Sequence, residues 1–103
     1  MICYNIDNDK YEGIYMDNKE LSNILKALGD ETRLQIFIML KDKKLCGYHI
    51  LDKLNVTQPT LSHHMKILCD VGLVLAEIDW KWIYYSQNKT KIKEIQFIID
   101  NII

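Results

Sequence analysis

Residues 56–68 have the sequence Val-Thr-Gln-Pro-Thr-Leu-Ser-His-His-Met-Lys-Ile-Leu, and this stretch decides the fold. Thr57 is a favourable N-cap, and Pro59 falls in the first helical turn, where its missing N–H costs nothing. Behind them comes a stripe of apolar side chains at helical spacing, Leu61, Met65 and Leu68. The pattern predicts an amphipathic helix over Gln58–Asp70.

The opposite face of this predicted helix carries small polar groups and one cation. At about 100° per residue, Ser62, His63 and Lys66 point away from the apolar stripe. A helix that buries one side and offers hydrogen-bonding groups on the other fits the major groove of DNA. We therefore predict DNA contacts from Gln58, Thr60, Ser62, His63 and Lys66. An ordinary solvated helix face is the alternative.

The segment before this helix predicts a shorter helix and a tight turn. Residues 47–54 place Ile50, Leu51 and Leu54 on one face. Asn55 is expected to end that helix in the left-handed conformation. Two helices joined by a tight turn are typical of a helix-turn-helix.

Two β-rich runs after Gly72, residues 73–78 and 82–86, flank a short polar connection and predict a hairpin. Lys81 at its tip is expected to contact a phosphate or the minor groove. The predicted fold is mainly α with a small β-hairpin, a winged helix-turn-helix of about five helices plus a two-stranded wing.

Three separated motifs carry a family resemblance: LKALGDETRLQIFIML (25–40), KLCGYHILDKLNVTQPTLSHHMKILCDVGLV (44–74) and WKWIYYS (80–86). Together they resemble the ArsR/SmtB family of metal- and metalloid-responsive bacterial repressors, over roughly residues 17–103. The resemblance implies a homodimer that represses transcription from a double-stranded DNA operator and releases it when an effector binds. The family usually has glycine beside the wing lysine, where this chain has Trp80.

The effector site departs from the pattern that the resemblance implies. The family's metal motif resembles Cys-x-Cys-Asp, whereas residues 46–49 are Cys-Gly-Tyr-His, and residues 89–103 hold no histidine for the family's other site. Cys46 and His49 stand three apart, close enough on one helix face to share As(III) or a soft divalent metal, with Cys3 of the other protomer as the candidate third ligand. The alternatives are a lost or relocated sensor, a thiol redox switch at Cys46 or Cys3, and inert buried thiols at Cys46 and Cys69.

Composition indicates one small domain. We expect an N-terminal arm over residues 1–16 and a DNA-binding and dimerisation domain over 17–103. The net charge of −1 is low for a nucleic-acid binder, but the first 20 residues hold five acids against two lysines. The rest is slightly basic, which predicts few phosphate contacts per protomer. Three cysteines without a signal peptide or membrane span predict a cytoplasmic protein and no membrane partner.

Apolar stripes on two further helices predict a homodimer. The last helix has no later segment to cover it, so we expect it to pair with the helix over residues 17–28 of a second copy. The predicted interface consists of Leu21, Ile24, Leu25, Leu28, Ile92, Ile95, Ile98, Ile99 and Ile102. A second helix, capped by Asp30 and running through Leu40, is expected to be the core element.

Catalysis has little support in the pattern. Ser62 and His63 are adjacent, so their side chains diverge on a helix, and neither a glycine-rich phosphate loop nor paired carboxylates on one helix face occur. His64 is expected to be packed and hydrogen-bonded, and Arg33 to form a salt bridge with its neighbours. The alternative function is a winged-helix protein-interaction module, which would keep the fold but lose the polar helix face.

Overall fold

The computed structural model describes residues 2–3 and 15–103, with only the backbone at residues 2, 3 and 15. Within this part of the chain there are five helices, as predicted. They are α1 (Asn18–Leu28), α2 (Glu31–Met39), α3 (Gly47–Lys53), α4 (Gln58–Asp70) and α5 (Lys89–Ile102).

The strands among the described residues form two small sheets. In the predicted arm, β1 (Ile2–Cys3) and β2 (Tyr15–Met16) pair antiparallel. The wing consists of β4 (Val74–Asp79) and β5 (Trp82–Gln87), and β3 (Leu45–Cys46) adds a third antiparallel strand in the order β3-β5-β4. The predicted two-stranded wing was therefore one strand short. Only two residues of β3 pair, opposite Tyr84 and Tyr85, which is too short a run to show alternation in the sequence.

Side-chain caps start four of the helices. Asp17, Asp30, Thr57 and Asn88 each accept a hydrogen bond from the backbone N–H three residues later, at 2.7, 2.9, 3.4 and 3.3 Å. Such a bond satisfies one of the donors that a helix start leaves unpaired. The predicted starts of α1, α2 and α4 agree with the structure to within one residue because each cap depends only on neighbouring residues.

The end of α4 is closed by a Schellman motif. Gly72 adopts φ +83°, and its N–H donates to the Cys69 carbonyl at 3.0 Å. The Leu73 N–H donates to the Leu68 carbonyl at 3.1 Å, which completes the motif and turns the chain into the wing. The left-handed conformation predicted for Asn55 was wrong, since α3 ends on Leu54 in an extended conformation.

The core lies between α4, α1, α2 and α5. Leu61, Met65 and Leu68 are buried as predicted, and they pack in one cluster with Ile98 and Ile50. The prediction for α2 was only partly right. Within α2, Ile36 is buried, and so is Leu40, the residue that follows the helix. Leu34 and Ile38 are exposed on the outer face. Within the described residues, each helix is too short or too polar to cross a lipid bilayer.

Candidate nucleic-acid interface

The outer face of α4 is exposed over its whole length. The side chains of Gln58, Thr60, Ser62, His63 and Lys66 all face solvent, opposite the buried stripe. Thr57 donates its hydroxyl hydrogen to the Thr60 oxygen at 2.9 Å, which fixes the first turn. The helix therefore presents hydroxyl, amide, imidazole and ammonium groups on one surface, the donor and acceptor set that reads base edges and phosphates.

The structure brings three of the predicted residues together in one groove. Gln58 and Ser62 on α4 face Lys81 on the wing across a cavity of about 170 Å³. Its apolar part comes from α3, α4 and β5, namely Leu51, Leu61, Ile83 and Tyr85. Thr60, His63 and Lys66 do not line this groove. The candidate interface thus consists of an open helix face and an adjoining wing-side groove, which sequence spacing alone does not show.

Lys66 is ion-paired. Its Nζ donates to Asp70 Oδ2 at 2.9 Å, one helical turn further along α4, and both side chains are mostly exposed. An exposed pair of this kind contributes little to stability. It does, however, neutralise the one cation on the α4 face. The spacing of four residues was visible in the sequence and could have revealed the pair.

The wing tip is built around Trp80, at the position where the family usually has glycine. Trp80 has φ +58° in the two-residue turn between Asp79 and Trp82. Residues other than glycine rarely adopt this backbone conformation. The Lys81 Nζ lies 4.7 Å from the centroid of the Trp80 ring and 5.2 Å from that of Trp82. The tip therefore has an unusual backbone conformation, and cation–π contacts hold its lysine.

Arg33, on α2, links its own helix to α1 and α4. Its Nε donates to the Ala27 carbonyl of α1 at 2.8 Å, and its Nη1 donates to His64 Nδ1 of α4 at 3.1 Å. His64 is thus packed and hydrogen-bonded, as predicted. The salt bridge predicted for Arg33 is replaced by these two bonds.

Asp30, the N-cap of α2, lies at the same junction. The hydrogen bond from the Arg33 backbone N–H, opposed by partial burial and aided by the Arg33 charge, holds the pKa of Asp30 below its usual value. The linking role of Arg33 was missed because its two acceptors lie 6 and 31 residues away in the sequence.

The predicted sensor residues are only partly within the described structure. Cys46 is buried at the start of α3 and His49 is exposed, yet both line one open cleft. The side chain of Cys3 lies outside the described residues. Among the residues that the structure describes, no three His, Cys, Asp or Glu side chains are grouped to hold a metal ion. Burial, with the Asp70 charge beside it, raises the pKa of Cys69, which disfavours a reactive thiolate there.

Exposure divides the nine predicted dimer-interface residues into two groups. Leu21, Ile24, Ile95 and Ile98 are buried inside a single chain, so they stabilise the protomer itself. Leu25 and Ile102 are 48% and 49% exposed. Leu28, Ile92 and Ile99 are half-buried. Only these last five have surface left to offer a second copy.

Comparisons with known proteins agree with this architecture. The family model for bacterial regulatory proteins of the arsR family matches residues 30–75. The chain is 42% identical over 80 residues to the arsenical resistance operon repressor of Staphylococcus aureus, covering 78% of this chain and 77% of that protein. It is 36% identical over 95 residues to an uncharacterized HTH-type transcriptional regulator of Methanocaldococcus jannaschii, covering 91% and 99%.

The solved structure of HlyU from Vibrio cholerae N16961 matches with a TM-score of 0.69 at 28% identity, covering 84% of this chain and 97% of that one. The fold and the exposed α4 face define a winged helix-turn-helix regulator of transcription. Within that class, the chain belongs to the arsR family of bacterial regulatory proteins. This is a family of DNA-binding regulators, which is a non-enzymatic role.

Proposed function

We propose that the chain is a homodimeric transcriptional repressor that binds a near-palindromic operator and releases it when an effector binds. The observation that carries this proposal is the division of α4 into a buried stripe and an exposed polar face beside the wing groove. A winged-helix protein-interaction module would not need that polar face. We place its action in the cytoplasm, because a regulator of transcription acts where the DNA is.

In this proposal each polar residue of α4 and the wing has a role set by its chemistry. Gln58 can pair bidentately with an adenine, and the hydroxyls of Thr60 and Ser62 can donate to or accept from base edges. His63 is available to bases or phosphates on the same face. Lys66 and Lys81 contact phosphates, which supply affinity without sequence information.

Removing the base-reading groups should relax sequence preference. We expect Gln58→Ala and Ser62→Ala each to weaken operator binding by about 1–3 kcal/mol and to lower discrimination at particular bases. The matched controls are Gln35→Ala on α2 and Ser22→Ala on α1, both exposed and far along the chain from α4. Fluorescence anisotropy with the operator and single-base variants measures the effect. Base preferences unchanged in both α4 variants would contradict these roles.

Removing the charge that neutralises Lys66 should strengthen binding to all DNA. In Asp70→Asn the Lys66 ammonium loses its carboxylate partner and becomes available to a phosphate. We expect higher affinity for every duplex and a salt dependence steeper by about one counterion. Lys66→Ala should have the opposite effect.

Asp42→Asn is the matched control for Asp70→Asn, because Asp42 accepts from the exposed Lys89 at the same 2.9 Å but belongs to the loop after α2. Affinity measured at several salt concentrations gives the slope. An Asp70→Asn protein with the native slope would show that Lys66 does not contact phosphate.

The metal site made by Cys46, His49 and Cys3 stays a prediction. The shared cleft of Cys46 and His49 supports it, whereas the third ligand has to come from the arm. If it forms, titration with As(III), Cd(II) or Zn(II) should produce thiolate absorbance and release the operator together, and Cys46→Ser should abolish both. Cys69→Ser is the control. A native response in Cys46→Ser would exclude this site.

A further inference from the structure

The cleft that Cys46 and His49 share is lined mainly by aromatic rings. It measures about 410 Å³, lies between α3 and the outer face of β5, and is bordered by Cys46, Tyr48, His49, Asp52, Trp82 and Tyr84. The Tyr48 ring meets the Trp82 ring edge-on, with centroids 5.4 Å apart and an interplanar angle of 77°. The volume is typical of small-molecule sites, which combine apolar walls with a few polar groups.

The aromatic walls attract positive charge. The face of an aromatic ring is electronegative, and tryptophan is the strongest of the three aromatic residues in this respect. This chain already shows the effect, because the Lys81 Nζ lies 5.2 Å from the Trp82 centroid. Three such side chains around one cleft, Tyr48, Trp82 and Tyr84, form the kind of surface that binds quaternary ammonium groups.

The carboxylates around the cleft also favour a positively charged ligand. Asp52 lines it, and Asp79 lies opposite Trp82 in the β4–β5 register, so its side chain is on the same face of the sheet. Neither carboxylate is ion-paired with any residue of the 16–103 segment. The neighbouring Lys44 and Glu77 form a salt bridge with each other and contribute little net charge. Among the described residues, neither lysine nor arginine lines the cleft, and the nearby Lys81 ammonium lies 5.2 Å from the Trp82 centroid.

We infer that this cleft binds a small organic cation, an aromatic or alkyl ammonium compound, through the Tyr48, Trp82 and Tyr84 rings and the Asp52 carboxylate. Tyr48 also lines the groove that holds Gln58, Ser62 and Lys81, so the occupant touches a residue that borders the proposed operator surface. The binding itself does not depend on the repressor function. Its test can therefore fail or succeed independently of that proposal.

The test uses three probes that share a benzyl group and differ in charge: benzyltrimethylammonium, benzyl alcohol and phenylacetate. Calorimetry with the full chain, without DNA, measures their affinities. We expect benzyltrimethylammonium to bind at least about tenfold more tightly than benzyl alcohol, and phenylacetate to show no binding. In a Trp80→Phe background the cation should also change the fluorescence of Trp82, the remaining tryptophan.

Two variants locate the site. Trp82→Leu should reduce the affinity for benzyltrimethylammonium by about tenfold or more, and Asp52→Asn by about fivefold. Asp100→Asn, a change at an exposed carboxylate on α5, is the control and should leave it unchanged. Circular dichroism shows whether each variant is folded. If Trp82→Leu does not fold, the affinity of Asp52→Asn decides the test. Equal affinity for the three probes would overturn the inference. So would native affinity in Asp52→Asn, together with native affinity in Trp82→Leu where that variant folds.

Discussion

Leu25→Lys combined with Ile102→Lys should convert the protein to a monomer and remove specific operator binding. These two residues are the most exposed of the nine on which the sequence predicts the dimer interface, and neither is needed to close the core of one chain. Burying one leucine or isoleucine stabilises a contact by about 2 kcal/mol, and placing an ammonium group there adds a desolvation cost. A monomer contacts one half-site, so we expect operator affinity to fall by about 10³-fold or more.

Light scattering and operator titration at the same protein concentration measure the two effects together. Ile38→Lys is the matched control, since Ile38 is 62% exposed on α2, outside the proposed interface, and should leave a dimer. The thermal unfolding of the double variant, followed by circular dichroism, shows that its protomer still folds. A native protein that is monomeric at micromolar concentration, or a double variant that remains dimeric, would contradict the proposed interface.

Arg33→Met should cost the protein about 3 kcal/mol of its free energy of unfolding. The guanidinium donates to the Ala27 carbonyl and to His64, and hydrogen bonds from charged groups each contribute about 1.5–3 kcal/mol. Methionine keeps the apolar stem but leaves both acceptors unpaired. Because His64 belongs to α4, the loss also removes a bond that holds α4 against α2.

Arg33→Lys separates charge from geometry, since a single ammonium group cannot reproduce the two directed bonds of the guanidinium. We expect it to be intermediate in stability, and Gln35→Met, an exposed substitution on the same helix, to be neutral. Urea unfolding followed by circular dichroism gives the free energies. If Arg33→Met unfolds at the same urea concentration as the native chain, the proposed junction does not stabilise the fold.

The elements of this fold that depend on local chemistry could be predicted from the sequence. The caps at Asp17, Asp30, Thr57 and Asn88 and the amphipathic pattern of α4 are complete within a few residues, so helix starts and the division of α4 into two faces were correct. The polar residues on α4 followed directly from that division.

The features that depend on distant segments could not be predicted in the same way. Helical spacing places Leu21 and Leu25 on one stripe, but only packing against the rest of the chain buries the first and leaves the second exposed. The third wing strand, the Arg33 junction and the aromatic cleft also join residues far apart in sequence.

The most direct test of the account is the affinity of the purified protein for a selected operator relative to scrambled DNA of the same composition, at physiological salt. Selection from a random duplex library supplies the operator. We predict an enriched inverted repeat with half-sites about 34 Å apart, or a multiple of that distance, bound by two chains and preferred about 10³-fold or more. Equal affinity for selected and scrambled duplexes, or a library without any enriched sequence, would contradict the account.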